Sequence, residues 1–194
     1  LSVEKPRGDV ARRITDENLE ERDGAQSESL PIYPSHLDEL ESLPDEQLRW
    51  MRLSVYFGLR PHEVDQMIAA NHTKTWTVYK VKDKTQILSF YQSKLVRISR
   101  ERRWKRIPCI LPEQVALIHE IKHGLKIKRP TVKAIESRLG EGHRLYGGRK
   151  GFEKYMRTDY GQRFENISRW LGHSDIRRTE QNYREIEAVE FDKI

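Results

Sequence analysis

The chain contains a single cysteine, Cys109, so it can form no internal disulfide. Cys109 lies in the apolar run 107–111, which favours a buried strand thiol over a catalytic one. No apolar run approaches the roughly 18 residues that a membrane-spanning helix needs, and the mean hydropathy is -0.83. No basic-then-apolar leader opens the sequence either. These absences predict a soluble, cytoplasmic protein with no membrane partner.

The sequence also lacks metal-ligating residues at the spacings that a metal site requires. The seven histidines are scattered, and none pairs with cysteine at zinc-finger spacing or belongs to a His-Glu-x-x-His motif. We therefore expect no metal site.

Positive charge is abundant, and it is concentrated away from the N-terminus. The net charge is +6, yet residues 1–30 carry five Lys or Arg against eight Asp or Glu, a net of -3 that leaves +9 for the rest. The stretch 84–106 has eight Lys or Arg and one acidic residue, Glu101. It predicts a positive hairpin that follows a phosphate backbone. The alternative is a solvated face, and charge alone favours nucleic acid only modestly.

Length and pattern predict one mainly helical α+β domain behind a charged arm. A chain of 194 residues can bury one substantial core, but not two full domains. Residues 1–34 are charged and poor in large apolar side chains, so we expect an arm or linker there. Residues 35–194 are expected to form the folded domain.

Apolar periodicity, with Pro and Gly at the ends, predicts the helices. A helix is expected to begin at Pro61, with Val64, Met67 and Ile68 facing inward. The other helices are expected at 36–43, 44–57 and roughly 113–123, 130–138, 148–157, 161–171 and 175–186. Strands rich in β-branched and aromatic residues are expected at 75–81, 86–91 and 104–110. Pro108 marks an edge or a strand end. A small three-stranded antiparallel sheet thus interrupts a helical domain.

Two distant motifs carry the residues most suited to chemistry. One is Phe57-Gly-Leu-Arg60-Pro-His-Glu63, and the other is Leu-Gly-His173 followed ten positions later by Tyr183. A tyrosine can form a covalent intermediate when its phenol is activated and its target is polarised. A phosphate target also needs fixed cations on its oxygens, and the planar fork of arginine suits this better than lysine. The pattern therefore predicts that distant arginines converge beside Tyr183.

These residues, taken in order, resemble the tyrosine recombinases, the phage-integrase family of site-specific DNA recombinases. The matching features are Arg60 in Gly-Leu-Arg-x-x-Glu, a lysine on the sheet, Arg149 at the start of a later helix, His173 in Leu-Gly-His, and Tyr183. The match spans about residues 35–186. Single motifs of this length give frequent false matches, but five in the right order are specific.

The resemblance implies a role for each of these residues. Arg60 and Arg149 would bind the non-bridging oxygens of the scissile phosphate, and His173 would donate a further hydrogen bond. Tyr183 would attack phosphorus, giving a 3′-phosphotyrosyl link and a free 5′-hydroxyl. Lys94, at the end of the second strand, would be the general acid that protonates the leaving 5′-oxygen. The covalent link conserves the bond energy, so neither a metal nor any other cofactor is required.

Structural interpretations compete with several of these roles. Arg60 follows a helix end, where a cation is favourable in any protein, and Leu-Gly-His173 taken alone is typical of a helix C-cap. Glu63 is expected to brace Arg60 or the first turn of the next helix. Two rival tyrosines, Tyr155 and Tyr160, fit core or surface aromatics better than nucleophiles.

Six other basic residues of the hairpin are expected to contact DNA phosphates rather than to react. They are Lys84, Arg97, Arg100, Arg102, Arg103 and Lys105. The resemblance favours Lys94 over Lys84 and Lys105 as the reactive lysine, because Lys94 lies in the Gln-Ser-Lys context that the family shows at this strand end.

Two features depart from the common family pattern. Tyr146 stands where most relatives have the histidine of His-x-x-Arg. Its phenol can donate a hydrogen bond, but a phenol is a poor base at neutral pH. His143 is a possible substitute, although its placement does not fit the motif. The ten positions from His173 to Tyr183 are about one more than in bacterial and phage members. Both features resemble integrases of archaeal viruses and plasmids.

The resemblance predicts a recombinase or integrase of a virus or mobile element, acting on double-stranded DNA. Four protomers are expected to assemble on two sites through their C-terminal tails. The chain resembles the catalytic domain with a piece of linker, without the separate DNA-gripping domain that typical members carry. Two alternatives remain: a type IB topoisomerase, which relaxes DNA through a similar tyrosine, and a DNA-binding accessory protein that has lost its chemistry.

Overall fold

The computed structural model describes residues 28–68, 75–82, 84–92 and 104–173. Over these residues, six α-helices, one 3-10 helix and one antiparallel sheet confirm the mainly helical α+β class. The helices are α1 (Asp45–Phe57), α2 (Pro61–Gln66), α3 (Pro112–Lys122), α4 (Val132–Leu139), α5 (Gly147–Thr158) and α6 (Phe164–Leu171), and the 3-10 helix is Pro34–Leu37. The strands, in sheet order, are β1 (Trp76–Lys80), β2 (Gln86–Tyr91) and β3 (Trp104–Pro108).

Helix α1 lies at the centre of the core. It follows Pro44, has Asp45 and Glu46 in its first turn, where the helix dipole favours acidic groups, and ends at Gly58. Gly58 has a φ of 61°, the left-handed conformation that glycine adopts at helix ends. The helix buries side chains around most of its circumference and packs on α3, α5 and the 3-10 helix. The prediction of a helix over 44–57 is therefore confirmed.

Helix α2 is shorter than its apolar pattern indicates. Val64 and Met67 are buried, as predicted. Ile68, which was also expected to face inward, is 48% exposed because the helix ends at Gln66 and Ile68 lies beyond it.

The sheet presents one face to the helical core. Cross-strand pairs on that face bring Leu88 opposite Ile107 and Phe90 opposite Lys105, and all four side chains are buried. The strand prediction is confirmed for β2 over its full length, while β1 and β3 are shorter than expected. Pro108 is the last residue of the edge strand β3, where proline is tolerated, and the next N–H, that of Cys109, donates to the Gln86 carbonyl at 2.8 Å.

The cysteine has the buried position that its neighbours predict. Cys109 follows β3 and is 9% exposed. Burial raises the pKa of its thiol to about 11, which leaves the thiol protonated and unreactive at neutral pH.

The segment before α1 is packed but is not the α-helix expected over 36–43. A 3-10 helix at Pro34–Leu37 is followed by turns up to residue 42. Leu37, Leu40 and Leu43 are nevertheless buried. The spacing of the apolar residues therefore predicts which side chains are buried, although the backbone forms a 3-10 helix and turns instead of an α-helix.

Residues 29–32 dock against a glycine-lined face at the start of α5. Backbone N–H groups of Leu30 and Ile32 donate to Gly142 and Gly147 carbonyls at 2.9 and 2.8 Å. A Cβ added at Gly151 would collide with the backbone carbonyl of Ile32, so only glycine permits this approach. Ser29 and Ile32 are buried, and the packed part of the chain therefore begins inside the stretch that was expected to be an arm.

Part of the sequence prediction falls elsewhere. The helix predicted at 175–186 and most of the 1–34 arm lie outside the described residues. Among the residues that the structure describes, no helix has the length and apolar character needed to cross a bilayer.

Candidate active site

The turn between α1 and α2 places Arg60 beside a carboxylate. Arg60 is the residue before α2, and Glu63 in the first turn of that helix accepts from the Arg60 backbone N–H at 2.7 Å and from its Nη1 at 3.3 Å. Glu63 therefore braces both Arg60 and the start of the helix. The Arg60 side chain is 26% exposed, which leaves part of the guanidinium accessible.

Strand β3 contributes a second cation to the same carboxylate. Lys105 Nζ lies 2.7 Å from Glu63 Oε2, and the Lys105 side chain is fully buried. Its position differs from the expected phosphate contact on an exposed hairpin. Alternation along β3 turns Lys105 and Ile107 into the core while Arg106 faces outward. Lys105 lies within the candidate site.

The neighbouring cations lower the pKa of Glu63, and burial lowers the pKa of Lys105. Burial alone would raise the pKa of the Glu63 carboxyl, but Lys105, Arg60 and Arg149 together hold it far below its usual range. Burial lowers the pKa of the Lys105 amine to about 7 although Glu63 opposes the shift, and Arg149 and Arg60 add to it. Glu63 is therefore ionised at neutral pH and compensates the cations around it.

The first turn of α5 contributes Arg149, which is only 1% exposed. Its Nη1 donates to the Gly58 carbonyl and its Nη2 to the Leu171 carbonyl, both at 2.9 Å. These carbonyls end α1 and α6, where helices leave acceptors unsatisfied. Arg149 thus joins two helix C-termini, and burial, followed by the nearby Arg60, lowers its pKa.

His173 follows the C-terminal glycine of α6 and contacts Arg149. Gly172 has a φ of 72°, and the His173 backbone N–H donates to the Ser168 carbonyl at 2.9 Å, which closes the helix end. His173 Nε2 lies 2.9 Å from Arg149 Nη2. Arginine only donates, so Nε2 accepts and the ring proton of the neutral imidazole lies on Nδ1.

Two further polar residues complete the cluster. Tyr146, the residue before α5, forms a side-chain hydrogen bond with Arg60. Glu153, one turn after Arg149 on α5, is 2% exposed and has Oε1 4.0 Å from His173 Nε2. Gln92, at the end of β2, donates through Nε2 to the Gly172 carbonyl at 3.2 Å and so links the sheet to the turn that precedes His173.

The structure brings together four of the six residues predicted to react: Arg60, Tyr146, Arg149 and His173. They form one cluster with Glu63, Lys105 and Glu153, in which Arg149 and those three side chains are buried and Arg60 is partly exposed. The other two, Lys94 and Tyr183, lie outside the described residues, as do the predicted DNA contacts Arg97, Arg100, Arg102 and Arg103.

Lys84 is not part of this cluster. It lies in the turn between β1 and β2, where its N–H donates to the Val81 carbonyl at 2.9 Å, and its side chain is exposed. Strand β2 separates that turn from Gln92, which contacts the α6 end. A six-residue strand spans about 20 Å, so Lys84 lies at the far end of the sheet.

Sequence reasoning missed Glu153, Gln92 and the inward position of Lys105. Two of these had a readable signal. Glu153 lies four residues after Arg149, which puts both on one face of a helix, and strand alternation with Ile107 places Lys105 inward. Gln92 had none, because its partner is 80 positions away.

The cluster suits an anion more than a metal. Among the described residues, no group of three or more His, Cys, Asp or Glu is arranged to hold a metal ion. Within the described ranges, Arg60, Lys105, Arg149 and His173 belong to one cluster that contains two carboxylates, those of Glu63 and Glu153. Such an arrangement can bind a phosphate oxyanion through charge-assisted hydrogen bonds.

The two rival tyrosines have structural positions. Tyr155 is buried and donates its hydroxyl proton to the Val55 carbonyl at 2.6 Å, and burial raises the pKa of its phenol well above the usual value. Tyr160 is 46% exposed and packs edge-on against Tyr155. Both have the core or surface placement expected from their context.

Comparison with known proteins identifies the fold. No protein-family model matches the sequence, and no curated protein matches it significantly. Among solved structures the chain is similar to XerH, a site-specific recombinase captured with a palindromic difH substrate in a post-cleavage complex. The similarity has a TM-score of 0.53 at 10% sequence identity and covers 86% of this chain. The chain spans 52% of the XerH chain, about half its length. The chain therefore shares the fold of the part of XerH that it matches.

Proposed function

We propose that this chain is a site-specific DNA recombinase that cleaves and rejoins strands through a covalent link to Tyr183. One observation carries the proposal: Arg60, Arg149 and His173 come from three separate elements and meet at one place. A fold like that of XerH supports it independently of the motifs. The substrate is double-stranded DNA, whose phosphates complement the basic cluster.

Each residue has a defined part in the proposed reaction. Arg60 and Arg149 stabilise the charge that develops on the non-bridging oxygens. Tyr146, which is hydrogen-bonded to Arg60, donates a hydrogen bond to the phosphate from the position where most relatives have histidine. The Tyr183 oxygen forms a bond to phosphorus as the bond from phosphorus to the 5′-oxygen breaks. Lys94 gives its proton to that leaving oxygen, and the phenolic proton passes to solvent.

A suicide duplex tests the reaction. A nicked DNA site that loses its 5′-hydroxyl fragment on cleavage traps the covalent adduct, which a denaturing gel separates from free protein. We expect an adduct with the unaltered chain and with Tyr160→Phe, a matched change at an exposed tyrosine, but none with Tyr183→Phe. The absence of an adduct from the unaltered chain would overturn the enzymatic proposal, and an adduct from Tyr183→Phe would move the nucleophile.

A sulfur-substituted leaving group tests Lys94 against Lys105. A 5′-bridging sulfur leaves without a proton, so Lys94→Ala should slow cleavage of ordinary DNA at least about tenfold more than cleavage of the sulfur substrate. Lys105→Ala is the matched control, because its buried amine is held by Glu63 and its loss should slow both substrates equally. An equal loss for Lys94→Ala would place the general acid elsewhere.

A second candidate is a DNA-binding protein without chemistry. It is favoured by the internal hydrogen bonds of Arg149, which has little exposed surface for a phosphate in this conformation. DNA binding in a gel-shift assay without adduct formation would select this candidate. Relaxation of a supercoiled plasmid without exchange between two sites would instead select a type IB topoisomerase.

We further propose that the recombinase serves integration or excision of a mobile element or viral genome and works as a tetramer on two sites. Both rest on the proposed reaction. Recombination between sites on two plasmids, followed by the mass of the protein–DNA assembly, tests them. We expect four protomers per pair of sites, and a smaller stable assembly that still recombines DNA would contradict the tetramer.

A further inference from the structure

Glu153 is a buried carboxylate that the proposed reaction does not use. It lies on α5 one turn after Arg149, and only 3% of its side chain is exposed. An ionised carboxylate is costly to bury unless cations or hydrogen-bond donors compensate it. Two groups of the described part of the chain that lie near it are Arg149, with which it interacts electrostatically, and His173, which is a cation when its ring is protonated. Its position therefore points to a role in the chemistry of these two groups.

Arg149 holds His173 in its neutral form while no phosphate is bound. Three of the five N–H groups of Arg149 donate within the protein, to Gly58, Leu171 and His173. The donation to His173 occupies the lone pair of Nε2, so Nε2 cannot carry a proton at the same time. A phosphate that draws this N–H away would free Nε2, which lies 4.0 Å from the Glu153 carboxylate.

We propose that Glu153 is a positioning residue that orients His173 and stabilises its imidazolium form once a DNA phosphate takes the donor of Arg149. The inference rests on the proposed function, since it assigns the phosphate to the Arg149 site. In this step Nε2 of His173 gains one proton from solvent, and no other bond is made or broken. His173 then becomes a donor to the phosphate instead of an acceptor from Arg149.

The charges around His173 explain why a carboxylate is needed. Arg149 and Glu153 face it from α5, and the cluster beyond Arg149 contains Arg60, Glu63 and Lys105 from the α1–α2 turn, α2 and β3. Glu63 is already shared by Arg60 and Lys105. An imidazolium beside Arg149 would therefore be repelled by the existing cations unless Glu153 compensates it.

Proton uptake on DNA binding gives a direct test. With Tyr183→Phe, which cannot form the adduct, calorimetric titration of a DNA site in two buffers of different ionisation enthalpy reports the protons taken up. We expect uptake of up to about one proton per site near pH 7.5. Glu153→Gln should remove most of that uptake, and adding His173→Asn should remove no more. Glu165→Gln, at an exposed carboxylate on α6, is the matched control and should leave the uptake unchanged.

Cleavage rates provide the second test. We expect Glu153→Gln to lower the rate of adduct formation about tenfold at pH 8 and much less at pH 6. Without the carboxylate the pKa of the His173 imidazolium is lower, so the ring is neutral at pH 8 but still protonated at pH 6. In a His173→Asn background the same change should have almost no further effect. Additive losses, or a pH-independent loss, would overturn the proposal.

The possible failures can be told apart. If the unaltered chain forms no adduct, the proposed function fails; if it does and Glu153→Gln behaves like the unaltered chain, only this inference fails. If the circular-dichroism melt shows that Glu153→Gln does not fold, Glu153→Asp serves instead, since it keeps the charge but shortens the reach. It should then retain proton uptake, and loss of uptake with retained binding would contradict the proposal.

Discussion

The two arginines of the candidate site are held in opposite ways. Arg60 is partly exposed and is braced by the carboxylate of Glu63, a contact between charges. Arg149 is buried and is braced by the backbone carbonyls that end α1 and α6, a contact with the fold itself. The difference teaches that one cation can be altered at little cost to the structure, while the other is part of the core.

Arg149→Ala should have the largest effect on stability. It leaves two buried helix-end carbonyls without their donor and opens a large cavity, so we expect a loss of about 4 kcal/mol in the free energy of unfolding. Urea denaturation followed by circular dichroism measures it. A loss under about 1 kcal/mol would show that the carbonyls find other donors, and the contrast between the two arginines would fail.

Glu63→Gln should have the next largest effect, because it leaves Lys105 buried beside a neutral partner. We expect a loss of about 2–3 kcal/mol at pH 7. The depressed pKa of Glu63 means that its contribution is present above about pH 4.5, its unfolded value, and is lost as the pH falls below that point. The variant should therefore lose less stability than the unaltered chain on acidification. Unfolding curves between pH 3 and 7 test this, and parallel curves would contradict it.

A matched pair of glycine changes compares the two helix ends that Arg149 joins. Gly58→Ala would place a Cβ 2.6 Å from the Phe152 ring and 2.7 Å from Leu171, both buried, whereas the atoms nearest to a Cβ at Gly172 belong to the end of the Gln92 side chain. Both residues have positive φ. We expect losses of about 2 kcal/mol for Gly58→Ala and about 1 kcal/mol for Gly172→Ala in thermal unfolding. The reverse order would place the tighter packing at α6.

Arg60→Ala should change stability least, by about 1 kcal/mol or less, because Lys105 still compensates Glu63. The same variant should form no detectable adduct on the suicide duplex. A small change in melting temperature together with loss of adduct formation would strengthen the contrast with Arg149. A loss of stability as large as that of Arg149→Ala would remove it.

The sequence predicts the fold well where the signals are local. Pro44 and Gly58 bound α1, and alternation of apolar residues fixes β2. The misses have physical reasons. Residues 29–32 look like linker because their burial depends on glycines far along the chain, and the 36–43 segment has helical spacing but a 3-10 backbone.

The candidate site was predictable in its cations but not in their support. Motifs identify Arg60, Arg149 and His173, since their spacing carries the signal. The Arg149 contacts with Gly58 and Leu171 could not be predicted, because every residue has a backbone carbonyl and the sequence does not show which of them accepts a hydrogen bond.

The docking of residues 29–32 on α5 has a consequence for local unfolding. Three of the first five residues of α5 are glycine, and each lowers helix stability by about 1 kcal/mol relative to alanine. Two of them, Gly147 and Gly151, admit the backbone of residues 29–32, and Gly148 packs against Ser54 of α1. The glycines thus weaken the helix alone but allow the close packing that holds it in place. Amide exchange in the first turns of α5 should therefore report whether that segment is seated, and releasing the segment would loosen the turn that carries Arg149.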